Sequence, residues 1–196
     1  MNDLKNITIL LIDDSPERSD ALLDALRICG YDQVSCITTN VVIWDELERI
    51  NPDVVLIDVE SPTRDTLEQL TLIRDRLPKP VVLFTQDQNV QSIRAAIQSG
   101  VSAYVLDDAS PDRVRPAIEI AMATFRSFQQ IRQERDEARA GLQDQKALGR
   151  AKSILIRRRG MSEDEAYHHI RKLAMRRHQR IGQTAKDIIE MEELIG

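Results

Sequence analysis

The chain has little of several residue types that mark common classes of protein. Only two of its 196 residues are cysteine, Cys29 and Cys36, and their spacing fits neither a metal site nor a disulfide framework. Aromatic residues make up 4% of the sequence, and it contains no apolar run of 18 residues. The N-terminus lacks a basic region followed by an apolar signal core. We therefore expect a cytoplasmic protein without a membrane span, whose two reduced thiols are buried as small apolar side chains.

Charge, in contrast, is abundant and unevenly distributed. The net charge is −5, but residues 1–124 hold 11 basic and 21 acidic residues, whereas residues 125–196 hold 16 and 11. Residues 146–186 contain 12 basic residues, three acids and all three histidines. A basic segment joined to an acidic body is typical of proteins that bind an anionic partner, most often nucleic acid. A solvated helical face is the plainer alternative.

Five short β-favouring segments alternate with amphipathic helical patterns in the first half of the chain. The segments are residues 7–12, 33–38, 54–57, 81–84 and 103–106. This alternation predicts a parallel, doubly wound sheet with right-handed crossovers. No strand pattern follows Pro111, which with Ser110 is typical of a helix start.

The rest of the chain has a helical pattern. Phe128, Ile131, Ala138 and Leu142 form a thin apolar seam at heptad-like spacing. We therefore expect a linker helix over residues 125–146 that pairs with a second subunit as a coiled coil. A lone solvated helix is the alternative, because polar residues interrupt the seam.

Three short helices are expected at the end, over residues 147–159, 162–177 and 183–195. Gly160 and Gly182 are interpreted as the breaks between them. Ser162-Glu-Asp-Glu165 has the pattern of a capping box, which marks the start of the second helix.

Polar residues stand at the ends of three predicted strands. Asp13 and Asp14 follow the first strand, Asp58 the third and Thr85 the fourth. Ligands of open parallel sheets bind beyond the carboxyl ends of the strands, so we expect one shared pocket. Carboxylates this close repel one another unless a hard divalent cation such as Mg²⁺ neutralises them. One carboxylate can then act as a nucleophile toward a phosphoryl group. Each single aspartate could instead be a helix cap or a turn former.

Residues 5–124 resemble the receiver domain of two-component response regulators. The resemblance rests on Asp13-Asp14, Asp58, Pro62, Thr85 and Gly100-Val-Ser-Ala-Tyr104. It implies that Asp58 is the phosphoacceptor-like residue and that Tyr104 is the switch aromatic. It also implies that Mg²⁺ is held by Asp13, Asp14, Asp58 and the backbone carbonyl of Glu60.

One position departs from the receiver pattern. Three residues after Tyr104 the family has a lysine that pairs with the acyl phosphate, whereas this chain has Asp107, followed by Asp108. An anion there opposes a transferred phosphate. We therefore expect a sensor protein that docks on the receiver, rather than mainly phosphorylation, to control the chain.

The basic end, residues 135–196, resembles the ANTAR domain, a three-helix RNA-binding module of bacterial transcription antiterminators. The resemblance rests on Arg150-Ala-Lys-Ser-Ile-Leu155, Arg159-Gly-Met-Ser162, Glu165-Ala-Tyr167 and Ile170-Arg-Lys-Leu-Ala-Met175. Receiver–ANTAR regulators of nitrate and nitrite assimilation are especially similar. The motif positions are Ala151, Lys152, Ala166, Tyr167, Arg171, Ala174 and Met175.

Among the motif positions and their basic neighbours, Lys152 and Arg171 are our first choices for RNA contact. Further candidates are Arg157, Arg158, Arg176 and Tyr167. We expect Ala151, Ala166, Ala174 and Met175 to pack inside the module. Tyr167 is expected in the core as well, with base stacking as the alternative.

The sequence thus predicts an α/β part followed by an all-α part. Residues 1–124 form a five-stranded, parallel, doubly wound, flavodoxin-like receiver domain, residues 125–146 the linker helix and residues 147–196 the ANTAR module. The expected function, without enzymatic activity, is antitermination through leader mRNA hairpins of nitrate and nitrite assimilation genes. The expected partners are a nitrate-sensing regulatory protein and a second copy of the chain. A phosphorylation-controlled DNA-binding response regulator and a protein adaptor are the alternatives.

Overall fold

The computed structural model of the chain describes residues 6–13, 15–38, 43–106 and 110–195. The chain divides into two compact units, Met1–Phe128 and Gln129–Gly196. The first unit is an α/β sheet structure and the second is helical.

All five predicted strands are confirmed and form one parallel sheet. They are β1 (Thr8–Asp13), β2 (Gln33–Thr38), β3 (Val54–Asp58), β4 (Val81–Thr85) and β5 (Ala103–Leu106). Their order in the sheet is β2-β1-β3-β4-β5, the flavodoxin-like doubly wound order that the sequence predicts. Three of the polar residues expected after strands are instead the last residues of β1, β3 and β4, namely Asp13, Asp58 and Thr85.

Helices cover both faces of this sheet. They are α1 (Pro16–Ile28), α2 (Ile43–Ile50), α3 (Arg64–Arg76), α4 (Val90–Ser99) and the first turns of α5 (Pro111–Arg159). Side chains alternate across a strand, so Ile9 and Leu11 of β1 pack in one cluster with residues of α1 and α5. Leu10 and Ile12 pack in the other with residues of α2, α3 and α4. Burial on both faces explains the continuous apolar runs of the central strands.

The expectation that both cysteines are buried is wrong. Cys29 is half-buried just after α1, where its thiol donates to the carbonyl of Pro111 at 3.4 Å. Cys36 is exposed. It lies in β2, and an edge strand is covered less completely than the central strands β1, β3 and β4.

The helical unit differs from the sequence prediction in where its helices begin. Helix α5 runs without interruption for 49 residues, so the linker and the first expected short helix are one element that ends before Gly160. Helix α6 (Glu163–Arg177) is followed by the cap residue His178, which has a left-handed backbone. Helix α7 (Ile181–Ile195) therefore includes Gly182, which does not break a helix as predicted.

Gly182 instead allows two helices to approach closely. A Cβ atom at this position would lie 2.1 Å from Cγ of Asp144 in α5. The missing side chain thus serves the packing of α7 on α5.

Along the exposed part of α5, the side chains of Phe128, Ile131 and Leu142 are 67%, 61% and 55% exposed. Among the described helices, none is long and apolar enough to cross a membrane.

Candidate functional site

The carboxyl ends of β1 and β3 bring two aspartates side by side. Asp13 and Asp58 are register partners on neighbouring parallel strands, and they are 1% and 7% exposed. The backbone N–H of Ser15 donates to Oδ1 of Asp13 at 2.7 Å. The structure therefore joins two of the predicted pocket residues. Asp14 and Asp107 lie outside the described residues.

Thr85 at the end of β4 links this edge to the loop after β3. Its buried hydroxyl donates to the carbonyl of Glu60 at 2.8 Å and accepts from the N–H of Asp87 at 3.2 Å. The N–H of Gln86 donates to the same Glu60 carbonyl at 3.3 Å. The predicted metal ligand Glu60 and the predicted pocket residue Thr85 thus hold the two loops together.

Asp87, which the sequence analysis did not single out, is the centre of this loop contact. Its carboxylate accepts from the hydroxyl of Ser61 at 2.7 Å and from the N–H of Asn89 at 2.8 Å. The N–H of Asn89, then the hydroxyl of Ser61, holds the pKa of Asp87 below its usual value. The carbonyl of Asp87 accepts from the hydroxyl of Tyr104 at 2.7 Å.

Tyr104 is half-buried in β5. Burial, and then the charge of Asp87, raises the pKa of its phenol, so the hydroxyl remains a hydrogen-bond donor at neutral pH. Hydrogen bonds through Asp87 therefore join the loop after β3, the loop after β4 and strand β5 in one network.

The donor atoms at the acidic edge suit a hard divalent cation. Asp13 and Asp58 are adjacent buried carboxylates whose mutual repulsion such an ion would relieve, and with the carbonyl of Glu60 they would offer it oxygen ligands. Within the described ranges no group of three or more His, Cys, Asp or Glu residues converges. The two carboxylates and one carbonyl are the described part of the predicted ligand set.

The basic end folds as a three-helix bundle around a small apolar core. The core is formed by Ala151, Ile154, Leu155, Ala166, Ile170, Ala185, Ile188 and Ile189. The predicted capping box is present, because the hydroxyl of Ser162 accepts from the N–H of Glu165 and the Glu165 carboxylate accepts from the N–H of Ser162. Ala151, Ala166 and Ala174 are buried as expected.

Helix α6 presents an exposed row of three motif residues. Tyr167, Arg171 and Met175 follow one another at every fourth position, which places them on adjacent turns of one face. Tyr167 is 38% exposed and Met175 is 68% exposed. The expectations that Tyr167 lies in the core and that Met175 packs inside are therefore wrong, because the buried face of α6 is formed by Ala166, Ile170 and Ala174.

Lys152 has a different environment from Arg171. Its side chain is 24% exposed, and its ammonium group forms an ion pair with Glu163 at the start of α6. The hydrogen bond from Lys152 holds the pKa of Glu163 below its usual value. The pair joins the end of α5 to the start of α6 and so fixes the helix that carries the exposed row.

Family models match the two parts of the chain. Residues 9–119 match the response regulator receiver domain, and residues 136–189 match the ANTAR domain. The chain is a response regulator with a C-terminal ANTAR domain. This family is regulatory and not enzymatic.

Curated relatives agree with this assignment. The transcriptional regulatory protein PdtaR of Mycobacterium tuberculosis is 28% identical over 182 residues, which cover 93% of this chain and 89% of PdtaR. The nitrate/nitrite response regulator protein NarL of Escherichia coli is 28% identical over 125 residues, 63% of this chain and 58% of NarL. A CheY-like receiver domain protein from Methanospirillum hungatei is similar in fold, with a TM-score of 0.54 and 19% identity, and the match covers 62% of this chain and 97% of that one.

The predicted RNA-contacting residues of this response regulator do not share one environment. Tyr167, Arg171 and Arg176 are exposed residues of α6, whereas Arg157 and Arg158 are exposed near the end of α5. Lys152 and Arg158 both form ion pairs between helices, Lys152 with Glu163 of α6 and Arg158 with Glu192 of α7. Sequence could have indicated Asp87, since an aspartate two residues before the cap residue Asn89 is typical of a local side-chain turn.

Proposed function

We propose that this response regulator is a transcription antiterminator that binds hairpins in leader mRNA and prevents a terminator from forming. One observation carries the proposal: α6 exposes Tyr167, Arg171 and Met175 in a row on a basic module that matches the ANTAR domain. Tyr167 and Met175 are exposed on one face of α6, and large aromatic and apolar side chains exposed together are typical of a binding surface, here for nucleic-acid bases.

The chemistry of the row suits unpaired bases of an RNA loop. The ring of Tyr167 offers a face for stacking, and the guanidinium of Arg171 combines a plane with several donors for phosphate or base edges. Met175 adds a flexible, polarisable contact. Lys152 acts indirectly, because its ion pair with Glu163 positions α6.

Binding assays on the full chain test this proposal. A pool of hairpin RNAs with randomised loops and duplex DNA of the stem sequence are compared as probes. We expect preference for RNA, and Arg171→Gln should weaken it by about 1–3 kcal/mol. Arg94→Gln, an exposed arginine of α4, is the matched control and should leave the affinity unchanged. Preference for duplex DNA would favour the DNA-binding alternative.

We also propose that the acidic edge of the receiver binds Mg²⁺. Asp13, Asp14, Asp58 and the carbonyl of Glu60 would hold the ion. When bound, the cation offsets the carboxylate charges and polarises a phosphoryl group, which allows Asp58 to act as an acceptor. Thr85 already contacts Glu60, so its hydroxyl is placed to respond to changes at that carbonyl.

Control by a docked sensor protein, rather than mainly by phosphorylation, is the proposed mode of regulation. It is supported by Asp107, which stands where receivers have a lysine that pairs with the phosphate. Incubation with acetyl phosphate and Mg²⁺, followed by intact-mass measurement, tests this, with Asp58→Asn as the control. We expect little added phosphate and no change in RNA affinity. Efficient modification that also alters RNA affinity would contradict it.

Nitrate and nitrite assimilation genes are the proposed targets, with a nitrate-sensing protein as the partner. The support is twofold. The receiver–ANTAR arrangement resembles that of regulators of nitrate and nitrite assimilation, and the chain is similar to NarL, whose name refers to nitrate and nitrite. RNA crosslinked to the chain in cells grown with and without nitrate tests this point. Bound transcripts that do not encode nitrate or nitrite enzymes would contradict it.

A homodimer through α5 is the proposed assembly. Phe128, Ile131 and Leu142 are each more than half exposed and lie at the predicted seam positions. Pairing with the same seam of a second copy would remove these side chains from water.

A further inference from the structure

A basic groove lies on the flank of α5 that faces α7. It is lined by Arg150, Ser153, Ile154, Arg157, Arg158 and Glu192, and its volume is about 350 Å³. Ligand pockets of proteins commonly measure roughly 300–1,000 Å³, so the groove is large enough for a small polar group. Three of its six lining residues are arginines.

The groove is separate from the exposed row of α6. Lys152 contacts Glu163 of α6 from one flank of α5, whereas Arg158 contacts Glu192 of α7. Arg150, Ser153 and Arg157 follow the spacing that places residues on one face of a helix, and they line the α7 side. The module therefore has two different surfaces with exposed cationic groups.

The three arginines of the groove are not equally paired, and Arg150 has a partner of its own. Nη1 of Arg158 lies 3.0 Å from Oε2 of Glu192, and the Glu192 side chain is 16% exposed. Arg157 makes no ion pair with any residue that the structure describes. Arg157 and Arg158 are consecutive residues with like charges, and an anion bound between their guanidinium groups would offset the repulsion between them. Their planar forks match the oxygen atoms of phosphate.

We propose that this groove binds a phosphate group of a ribonucleotide, with Glu192 as an internal competitor for Arg158. The favoured source of that phosphate is the backbone of bound RNA, and in this respect the inference rests on the proposed function. A phosphate enters beside Arg157 and then exchanges with the carboxylate of Glu192. Release of Glu192 makes Arg158 available as a further donor, and the ion pair forms again when the RNA leaves.

Full-length variants and a salt titration test the groove. The probe is the hairpin pool with randomised loops, and the slope of log affinity against log salt counts the phosphates neutralised. Arg157→Gln should reduce this slope by about 0.7, the value for one single-strand phosphate. Glu192→Gln should tighten binding roughly two- to fivefold, the range expected when a partly exposed ion pair no longer competes.

Glu190→Gln is the matched control, since Glu190 is an exposed acid of the same helix outside the groove. It should change the affinity less than Glu192→Gln does. Equal effects of Glu190→Gln and Glu192→Gln would contradict RNA as the source of the phosphate. An unchanged salt slope in Arg157→Gln, with unchanged helical circular dichroism, would contradict it as well.

Free nucleotide is the second source of the same chemistry. ATP is titrated against the wild-type chain and Arg157→Gln, and the midpoint of thermal unfolding is followed. Stabilisation that Arg157→Gln abolishes assigns the groove to a free nucleotide and still supports a phosphate site. No effect of Arg157→Gln with either probe overturns the proposal. If the wild type binds no RNA, the proposed function fails, and the ATP titration decides the groove by itself.

Discussion

A single methyl group at position 182 should disturb the packing of α7 on α5. In Gly182→Ala the new Cβ would lie 2.1 Å from Cγ of Asp144 and 2.5 Å from both its Cβ and its Oδ1. Carbon atoms in contact are normally about 3.5–4.0 Å apart, so Asp144 or the helix must move. Oδ1 of Asp144 also accepts from Nζ of Lys186 at 2.8 Å, and the movement breaks that ion pair.

Two opposing effects set the size of the change. Forcing an extra carbon into a packed contact destabilises by about 1–3 kcal/mol. Replacing glycine by alanine in a helix stabilises by at most about 1 kcal/mol. With the full gain subtracted the net cost is about 0–2 kcal/mol, so we expect Gly182→Ala to lower the free energy of unfolding by about 1 kcal/mol. Gly149→Ala is the matched control. Gly149 lies in α5, and a Cβ added there would meet no atom within 4 Å, so only the stabilisation from replacing glycine by alanine applies.

Thermal unfolding followed by far-ultraviolet circular dichroism measures both variants. For a unit of 60–100 residues, each kcal/mol corresponds to a shift of about 4–8 °C in the midpoint. Trp44, the sole tryptophan, lies in Met1–Phe128, so its fluorescence follows the other unit and should be unchanged. Asp144→Gly combined with Gly182→Ala should recover part of the loss. A Gly182→Ala chain as stable as Gly149→Ala would refute the reasoning.

Substitutions at three further positions test other parts of the structure. Because the folded-state pKa of Asp87 lies below its ordinary value of 3.8, its carboxylate stabilises the fold above that pH and less as the pH falls through the lower pKa. The difference in unfolding midpoint between wild type and Asp87→Asn should therefore shrink from about pH 6 to about pH 3. Ser162→Ala removes a helix cap and should cost about 1 kcal/mol in thermal unfolding, whereas Ser162→Asp should retain most of the stability. Ile131→Lys places a charge on the α5 seam and should lower the mass found by sedimentation from dimer to monomer; an unchanged mass would contradict pairing through this helix.

The sheet and its acidic edge could be predicted because their signals are local. Central strands buried on both faces have continuous apolar sequences, and β1 and β3 end at Asp13 and Asp58. Parallel pairing then brings the ends together without any further information. The capping box at Ser162 could be predicted for the same reason, since its two partners are three residues apart.

The basic module was harder to predict because its details depend on contacts between helices. Lys152 and Glu163 are 11 residues apart, and only the packing of α6 on α5 brings them together. Whether Met175 is buried depends on which face of α6 meets the other helices. Gly182 has the composition of a helix break, and its role in close packing is visible only when Asp144 of α5 lies beside it.

Crosslinking and sequencing of RNA bound in cells is the measurement that tests the central claim most directly. The wild-type chain is compared with Arg171→Gln, which leaves the Lys152–Glu163 pair intact. We predict that wild-type reads concentrate in hairpins of leader transcripts upstream of terminators and that Arg171→Gln loses most of them. Reads spread evenly over abundant RNA, or an unchanged pattern in Arg171→Gln, would contradict recognition of leader hairpins through the exposed face of α6.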